Sequence, residues 1–358
     1  MLYIMLFLII LLIIFIIYYI VKRFQKFSFI KNINNKLLKF IISILPILIL
    51  FLLFNFVNFA VIIIHLAIFM LLSELIIKLI KMKNKKEFNR YYAGITGILL
   101  TIVYLGLGAY LDYHVNYTYY EIKSAKEIGD NFRIIQISDS HIGATFDGNG
   151  FKKHMEKLKS VESDIVVVTG DFVDDDTTKE DMIDSVKALS ILNPKYGIYM
   201  ISGNHDKGYF NTRNFTYDDM KEELNKYNIK LLEDEIIEIN DYISLIGRKD
   251  RSDKDRKSID ELVSNLNSSK YIIDLNHQPN DYKNEMNKVD LVLSGHTHGG
   301  QLFPLGYIGL LMGSNDEFYG LHKRENTNFI VNSGISDWAI DFKTGTFSEI
   351  GIIDIKSQ

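Results

Sequence analysis

The first third of the chain differs from the rest in how its apolar residues are distributed. Between residues 2 and 111 they form four long runs, at about 2–21, 40–57, 60–80 and 91–111. The run from Leu2 to Val21 contains no charged residue and, as a helix rising about 1.5 Å per residue, spans about 30 Å of hydrocarbon. The pattern predicts four transmembrane helices, the two middle ones joined by a short turn that contains Asn58.

From Phe132 onwards, short β-branched runs alternate with segments of helical periodicity. The predicted strands are 133–137, 164–168, 197–201, 242–246, 271–275, 291–293, 328–331 and 347–355, and the predicted helices are 151–160, 179–192 and 218–228. Such alternation is typical of an α/β domain with largely buried sheets. We therefore expect one α/β domain over 132–358, preceded over 112–131 by a juxtamembrane linker or, alternatively, by a first strand.

Charge divides the chain at the same place. Residues 1–111 carry twelve Lys/Arg and two acidic residues, whereas the remainder carries 28 Lys/Arg and 42 Asp/Glu. Apart from Lys78, the basic residues of the first part lie in two loops, 22–39 and 81–90, and the turn between the middle spans has none. Because basic loops stay in the cytoplasm, four spans predict a multi-pass cell-membrane protein with its C-terminal domain on the extracytoplasmic side.

Composition excludes several other classes. The sequence has no cysteine, which rules out a disulfide framework, a zinc ribbon and a thiol nucleophile. The acidic second part has no basic stripe, so nucleic acid is not expected as its partner.

Polar side chains cluster where the predicted strands end. The motifs are Asp139-Ser140-His141, Gly170-Asp171-Phe172-Val173-Asp174, Gly203-Asn204-His205-Asp206, Asn276-His277-Gln278-Pro279 and Gly295-His296-Thr297-His298-Gly299-Gly300-Gln301. Each motif alone has an ordinary interpretation, such as a capped turn beside a surface histidine. Because the loops beyond the carboxyl ends of the strands form the ligand crevice of an α/β sheet, we expect all five at one rim.

The side-chain types in these motifs indicate a metal site. Imidazoles and carboxylates without thiolates suit zinc, iron, manganese or cobalt. The motifs deliver seven candidate ligands to this rim, namely two Asp, one Asn and four His. Seven exceed what one tetrahedral ion needs, and two ions sharing one carboxylate would use them all. Two such ions, about 3.5–4 Å apart, acidify a bridging water and clamp a phosphoryl group. The motifs therefore predict a dinuclear hydrolytic site.

The five motifs, in this order, resemble those of the calcineurin-like metallophosphoesterases over roughly 132–355. The last motif and the preceding spans are similar to a membrane-associated bacterial branch that includes phosphodiesterases and UDP-2,3-diacylglucosamine pyrophosphatase-like enzymes. The resemblance implies a four-layer α/β/β/α sandwich preceded by the four transmembrane helices. It also implies hydrolysis by attack of a metal-bridging hydroxide.

The resemblance further implies a role for each residue of the motifs. The first ion would be held by Asp139, His141 and His298, and the second by Asn204, His277 and His296. Asp171 would bridge both ions, and His205 would act as the general acid, oriented by Asp206. Two departures from the family pattern concern the substrate: Gly334-Ile335-Ser336 stands where the family often has Gly-x-Gly, and 248–256 is unusually charged.

Our main hypothesis is a membrane-anchored, metal-dependent phosphoric ester hydrolase with two divalent ions, acting on a phosphomono-, phosphodi- or pyrophosphate ester. The alternative is a membrane sensor or scaffold whose metal domain only binds a phosphorylated ligand. Because the spans tether the site near the bilayer, lipid-linked or envelope phosphoesters are natural candidate substrates. The apolar residues of 302–305 and 308–312 would form either a lip for an acyl chain or part of the core.

Overall fold

The computed structural model describes the backbone of residues 2–85, 88–210, 212–264 and 266–357, and the side chains of these residues except 2–6 and 9. The chain divides into two compact units, with the boundary between Ala109 and Tyr110. The helices of the first unit are α1 (Leu2–Phe24), α2 (Ser28–Lys31), α3 (Lys36–Leu53), α4 (Phe56–Asn84) and the greater part of α5 (Tyr92–Tyr113).

Three of these helices, α3, α4 and α5, are long and apolar enough to cross a membrane. The fourth predicted span, 2–21, corresponds to α1, but several of its side chains lie outside the described residues, so this span remains a prediction; Lys86 of the second basic loop also lies outside them. The break between α3 and α4 falls at Phe54–Asn55 rather than at Asn58. The reason is that the Asn55 side chain accepts the N–H of Asn58 and caps α4.

Within the first unit, one carboxylate joins α1 to α4. Glu74 of α4 forms ion pairs with Arg23 (3.1 Å) and Lys26 (2.6 Å). The hydroxyl of Tyr91 donates to the same carboxylate at 2.6 Å. Both basic partners lie in the first basic loop or at its edge, so the charge of Glu74 is compensated at the end of the apolar segment.

Within its described residues, the second unit contains the end of α5, two six-stranded sheets and six further α-helices. In chain order the strands are β1 (Asn116–Lys123), β2 (Phe132–Ile137), β3 (Ile165–Thr169), β4 (Ile198–Ile201), β5 (Ile229–Leu231), β6 (Glu235–Glu238), β7 (Ile243–Gly247), β8 (Tyr271–Leu275), β9 (Leu291–Ser294), β10 (Gly320–Arg324), β11 (Thr327–Val331) and β12 (Glu349–Lys356). The helices are α6 (Gly148–Leu158), α7 (Lys179–Leu189), α8 (Tyr217–Lys226), α9 (Ile259–Val263), α10 (Tyr282–Glu285) and α11 (Leu305–Leu311).

The strand orders are β1-β12-β2-β3-β4-β5 in the first sheet and β10-β11-β9-β8-β7-β6 in the second. The segment 112–131, left open between a linker and a strand, thus supplies β1, which pairs in parallel with β12. The predicted strands and helices are all present, with ends shifted by a few residues.

Three apolar layers hold the sheets and helices together. One lies between the sheets and is formed by residues such as Val167 of β3 and Ile273 of β8. A second packs α6, α7 and α8 on the outer face of the first sheet, and a third packs α9 and α10 on the outer face of the second. The expected four-layer α/β/β/α sandwich is therefore confirmed.

The sheet topology brings the ends of five strands to one region. β2, β3 and β4 are neighbouring parallel strands of the first sheet, and β8 and β9 are neighbouring parallel strands of the second. Every residue of β3 is buried, which explains its continuous Ile-Val-Val-Val run, since both faces of the strand are covered. The five motifs follow the carboxyl ends of these five strands.

Candidate metal centre

The structure brings the predicted ligands together in two groups. Potential ligand atoms of Asp139, His141 and His298 lie within 4.8 Å of one another, and so do those of Asp171, His277 and His296. Asn204 joins the second group, since its Oδ1 lies 3.2 Å from His277 Nε2. All seven predicted ligands are therefore at one site.

In the first group, both histidines direct their Nδ1 atoms away from the centre. His141 Nδ1 lies 2.9 Å from Asp174 Oδ2, and His298 Nδ1 lies 3.3 Å from the carbonyl oxygen of Ser336 and 3.2 Å from Asp337 Oδ1. A histidine that donates Nδ1–H to a carboxylate or carbonyl oxygen presents the lone pair of Nε2, as metal-ligating histidines do. The Nε2 of His298 lies 3.8 Å from Asp139 Oδ1.

The second group follows the same rule with a backbone partner. His277 Nδ1 donates to the carbonyl of Thr169 at 2.8 Å, which leaves Nε2 facing the centre. The side-chain NH₂ of Asn204 donates to the hydroxyl of Tyr209 at 2.8 Å, and its Oδ1, 3.2 Å from His277 Nε2, faces the same point.

Asp171 lies between the two groups. Its Oδ2 is 3.2 Å from His277 Nε2 in the second group and 3.6 Å from His141 Nε2 in the first. Its Oδ1 accepts the backbone N–H of His205 at 2.8 Å, which fixes the carboxylate. Burial opposes its ionisation, but the imidazoles of His277 and His141 outweigh burial and hold the pKa of Asp171 well below its usual range.

The backbone at the ligands has an uncommon conformation. The φ angles of five of them are positive, at 50° for Asp139, 36° for His141, 51° for Asp171, 71° for His296 and 47° for His298. Residues with a Cβ rarely adopt this region, and such strain is concentrated at functional sites. The tight turns direct neighbouring side chains of each motif towards the metal site. In an extended strand, successive side chains would point to opposite faces of the sheet.

Glycines allow the ligand carboxylates to approach the neighbouring loops. A Cβ at Gly203 would lie 2.2 Å from Asp171 Oδ1, and a Cβ at Gly295 would lie 2.2 Å from Asp139 Oδ2. Any side chain at these two positions would displace a carboxylate of the site. Glycine is therefore required at these positions because there is no room for a Cβ atom.

Asp174, for which the sequence predicted no role, is the carboxylate that contacts His205. The expectation that Asp206 orients His205 is wrong, because its carboxylate accepts the backbone N–H groups of Asp171, Phe172, Val173 and Gly203 at 2.7–3.0 Å. Asp206 thus ties the loops after β3 and β4 together. It is Asp174 Oδ1 that lies 3.2 Å from His205 Nδ1, while its Oδ2 binds His141.

The electrostatics of this pair favour a protonated His205. Burial lowers the pKa of His205, but the hydrogen bond to Asp174 and the charge of Asp171 outweigh burial and raise it. Burial raises the pKa of Asp174, and the hydrogen bonds from His141 and His205 reverse this and lower it. His205 is 9% exposed, and the rings of Tyr209 and Trp338 lie 4.9 and 5.2 Å from its own.

Asp337 is a residue of the site that the sequence did not indicate. It contacts His298 Nδ1 and also lies 3.1 Å from Lys343 Nζ, and both Asp337 and Lys343 are buried. Burial opposes its ionisation, but Lys343 and His298 lower the pKa of Asp337. Asp337 directly follows Gly334-Ile335-Ser336, noted above as a departure from the family pattern. That departure indicated an unusual loop and did not indicate a carboxylate at the site.

The charged segment 248–256 supports the loop that carries His277. Asp250 accepts from the side-chain amide of Gln278 at 2.9 Å, and Arg256 Nη2 donates to Asn276 Oδ1 at 2.8 Å. Arg248 is 2% exposed and donates to Asp281 (2.8 Å) and Glu285 (2.9 Å). Arg248, Asp250 and Arg256 therefore have partners within the domain.

The donor set fits divalent cations. His141 Nε2 is buried and has no hydrogen-bond partner among the described residues, although two carboxylates lie nearby. Burial opposes protonation of His277, yet Asp171, Asp139 and Asp250 raise its pKa to about 10, so the site attracts positive charge. Imidazole nitrogens and carboxylate or amide oxygens are the ligands of zinc, iron, manganese and cobalt.

Comparison with known proteins agrees with this geometry. The calcineurin-like phosphoesterase family matches residues 132–300. An uncharacterized metallophosphoesterase of Aquifex aeolicus is 33% identical over 212 residues, which cover 57% of this chain and 78% of that protein. The chain belongs to the calcineurin-like metallophosphoesterase family.

Two further relatives are similar over the same part of the chain. An uncharacterized metallophosphoesterase of Campylobacter jejuni is 30% identical, with 64% of this chain and 60% of that protein covered. A transmembrane protein with a metallophosphoesterase domain from Danio rerio is 28% identical, with 66% of this chain and 55% of that protein covered. The chain thus matches little more than half the length of these two relatives.

Proposed function

We propose that this protein is a membrane-anchored phosphoester hydrolase that holds two divalent ions. The observation that carries the proposal is the position of Asp171, whose Oδ2 faces His141 Nε2 and His277 Nε2 at 3.6 and 3.2 Å. One carboxylate is therefore within reach of both ligand groups. Divalent ions bound at such a site polarise phosphoryl oxygens and lower the pKa of water.

The chain itself supplies the acid. The Nδ1 atom of His205 lies 3.2 Å from Asp174, and the charges of Asp174 and Asp171 favour a proton on the imidazole. A protonated imidazole at the edge of the metal site can protonate the leaving oxygen of an ester, which general acids do with gains of about 10²–10⁴-fold. The flanking rings of Tyr209 and Trp338 limit access of water to it.

Metal analysis tests the dinuclear proposal. Asp171→Asn should lose both ions and abolish hydrolysis, since one amide oxygen replaces a shared carboxylate. Asp176→Asn is the matched control, because Asp176 lies in the same loop and is exposed. Elemental analysis that finds one ion per wild-type chain under metal-replete conditions would contradict two ions.

Loss of His205 distinguishes an enzyme from a sensor that only binds a phosphorylated ligand. His205→Ala should lower turnover of an alkyl ester about 10²–10⁴-fold while the metal content stays unchanged. A p-nitrophenyl ester should lose less, since its leaving group needs no proton. Equal losses on both esters would remove His205 from the role of acid.

For the membrane part we propose four spans and an extracytoplasmic domain. The support is the Lys/Arg content of the loops at 22–39 and 81–90, compared with the uncharged turn between α3 and α4. Helices α3, α4 and α5 supply three of the spans, and α1 would supply the fourth.

A further inference from the structure

The segment after the last metal motif is uncharged and largely exposed. Residues 299–315 contain no Asp, Glu, Lys or Arg. Leu311 and Met312, at the end of α11, are 88% and 76% exposed, and Phe303 and Tyr307 are 59% and 56% exposed. Leu302 lies in the core, but these four residues do not, so a core role for the whole segment is wrong. Apolar surfaces of this kind mark contacts with proteins or membranes.

Helix α11 lies beside the end of α5. Tyr307 and Leu310 line a cavity of about 600 Å³ together with Leu111, which belongs to the last turn of α5. The carbonyl of Leu111 accepts the backbone N–H of Ser348 at 2.9 Å, which fixes this turn to the domain. Because α5 is long and apolar enough to cross a membrane, its last turn is expected at the bilayer surface, and α11 with it.

Other residues of α11 lie beside the metal motif. Leu305, Gly306 and Gly309 line a second cavity, of about 240 Å³, together with His296. Phe318 lines both cavities. One short helix thus separates a proposed metal ligand from the end of the membrane helix.

We propose that the exposed face of α11 inserts into the surface of the bilayer, and that the site acts on phosphoesters whose apolar part remains in the membrane. The second half of this inference rests on the proposed function. The structure favours a lipid surface as the occupant of this face. The end of α5, which is long and apolar enough to cross a membrane, lies beside α11, so the bilayer surface is expected next to α11. Aromatic residues beside aliphatic ones are typical of interfacial segments, and Phe303, Tyr307, Leu311 and Met312 provide both.

The absence of cysteine from the sequence makes a depth measurement straightforward. The full chain, reconstituted in phosphatidylcholine–phosphatidylglycerol vesicles, would carry a single nitrobenzoxadiazole-labelled cysteine at Leu311→Cys. Val103→Cys in α5 is the control within the membrane segment, and Lys187→Cys on α7 is the control in water. We expect the probe at 311 to be quenched by doxyl-labelled lipid and protected from iodide, as at 103.

A pair of monoesters tests the substrate class. Vesicles with NBD-labelled phosphatidic acid provide a lipid phosphoester, and p-nitrophenyl phosphate provides a soluble one. Leu311→Glu/Met312→Glu should lower the ratio of lipid to soluble turnover at least tenfold, since two charges oppose insertion. Leu311→Ala/Met312→Ala removes apolar area without adding charge, so it should lower the ratio less. Soluble turnover close to that of the wild type in both double variants would show that the domain is folded.

The outcomes separate the inference from the proposed function. Iodide quenching at 311 equal to that at 187 would overturn insertion, and protection from both quenchers would indicate a protein partner or a second copy and overturn it as well. An unchanged ratio in the glutamate variant would overturn the substrate class. No hydrolysis of either ester by the metal-loaded wild type would overturn the phosphomonoesterase activity, while the depth measurement would still decide insertion.

Discussion

Replacing Asp174 by Asn tests the assignment of this residue as the partner of both His141 and His205. The carboxylate contacts His141 Nδ1 at 2.9 Å and His205 Nδ1 at 3.2 Å, and it is 6% exposed. An asparagine has one acceptor oxygen, so its NH₂ group would face the N–H of one imidazole. One of the two hydrogen bonds is therefore lost and replaced by a contact between two donors.

The size of the effect follows from the charge on the acceptor. A hydrogen bond to a charged group contributes about 1.5–3 kcal/mol, and about 1.4 kcal/mol corresponds to tenfold. Asp174→Asn should therefore lower metal affinity or alkyl-ester turnover about 10–100-fold, the range seen for residues that orient metal ligands. Asp176→Asn, in the same loop but exposed, should change neither.

The pH profile gives a second readout of the same substitution. His205 must be protonated to act as an acid, so turnover falls as pH rises through its pKa. Asp174 raises that pKa, although burial acts against it, so Asp174→Asn should move the alkaline limb to lower pH. An assay of kcat against pH with an alkyl phosphate would show this. The assignment would be refuted if Asp174→Asn had the turnover, the metal content and the alkaline limb of the wild type.

Two further predictions concern stability and topology. Burial and the charge of Asp274 raise the pKa of Glu285 to about 8, so the stability present when this carboxyl is protonated is lost as pH rises through that value. Glu285→Gln should flatten the fall of Tm between about pH 4.5 and 8, and a fall as steep as that of the wild type would contradict the shift. Protease added to intact, wall-stripped cells should release residues 112–358, and digestion only after lysis would place the site in the cytoplasm.

Much of the fold was predictable because most strands are apolar runs bounded by turn residues. The predicted strands missed β5, β6 and β10, which are three to five residues long. The Gly-Leu-His-Lys-Arg sequence of β10 contains one aliphatic side chain, and its strand conformation depends on pairing with β11. Short edge strands of this composition are defined by their neighbours rather than by their own pattern.

The ligands were predictable because each motif is contiguous and follows a strand. The carboxylates that contact the Nδ1 atoms of the histidines were less predictable. Asp206 is adjacent to His205 in the sequence, but its carboxylate points to the amides of the neighbouring loop, whereas Asp174 reaches both histidines from another strand end. Asp337 lies in a loop distant in sequence from every ligand, and a Ser-Asp pair carries no signal of its own.

The pairing of β1 with β12 has a consequence for biosynthesis. β12 lies between β1 and β2, so the strand that directly follows the last membrane helix has no partner until the residues from Glu349 onwards have been made. Contacts between segments so distant in sequence form slowly. The edge of β2 therefore stays open until the residues of β12 have been made, a period in which a chaperone would have an unpaired strand to bind. Folding of the domain is thereby tied to the arrival of its final strand.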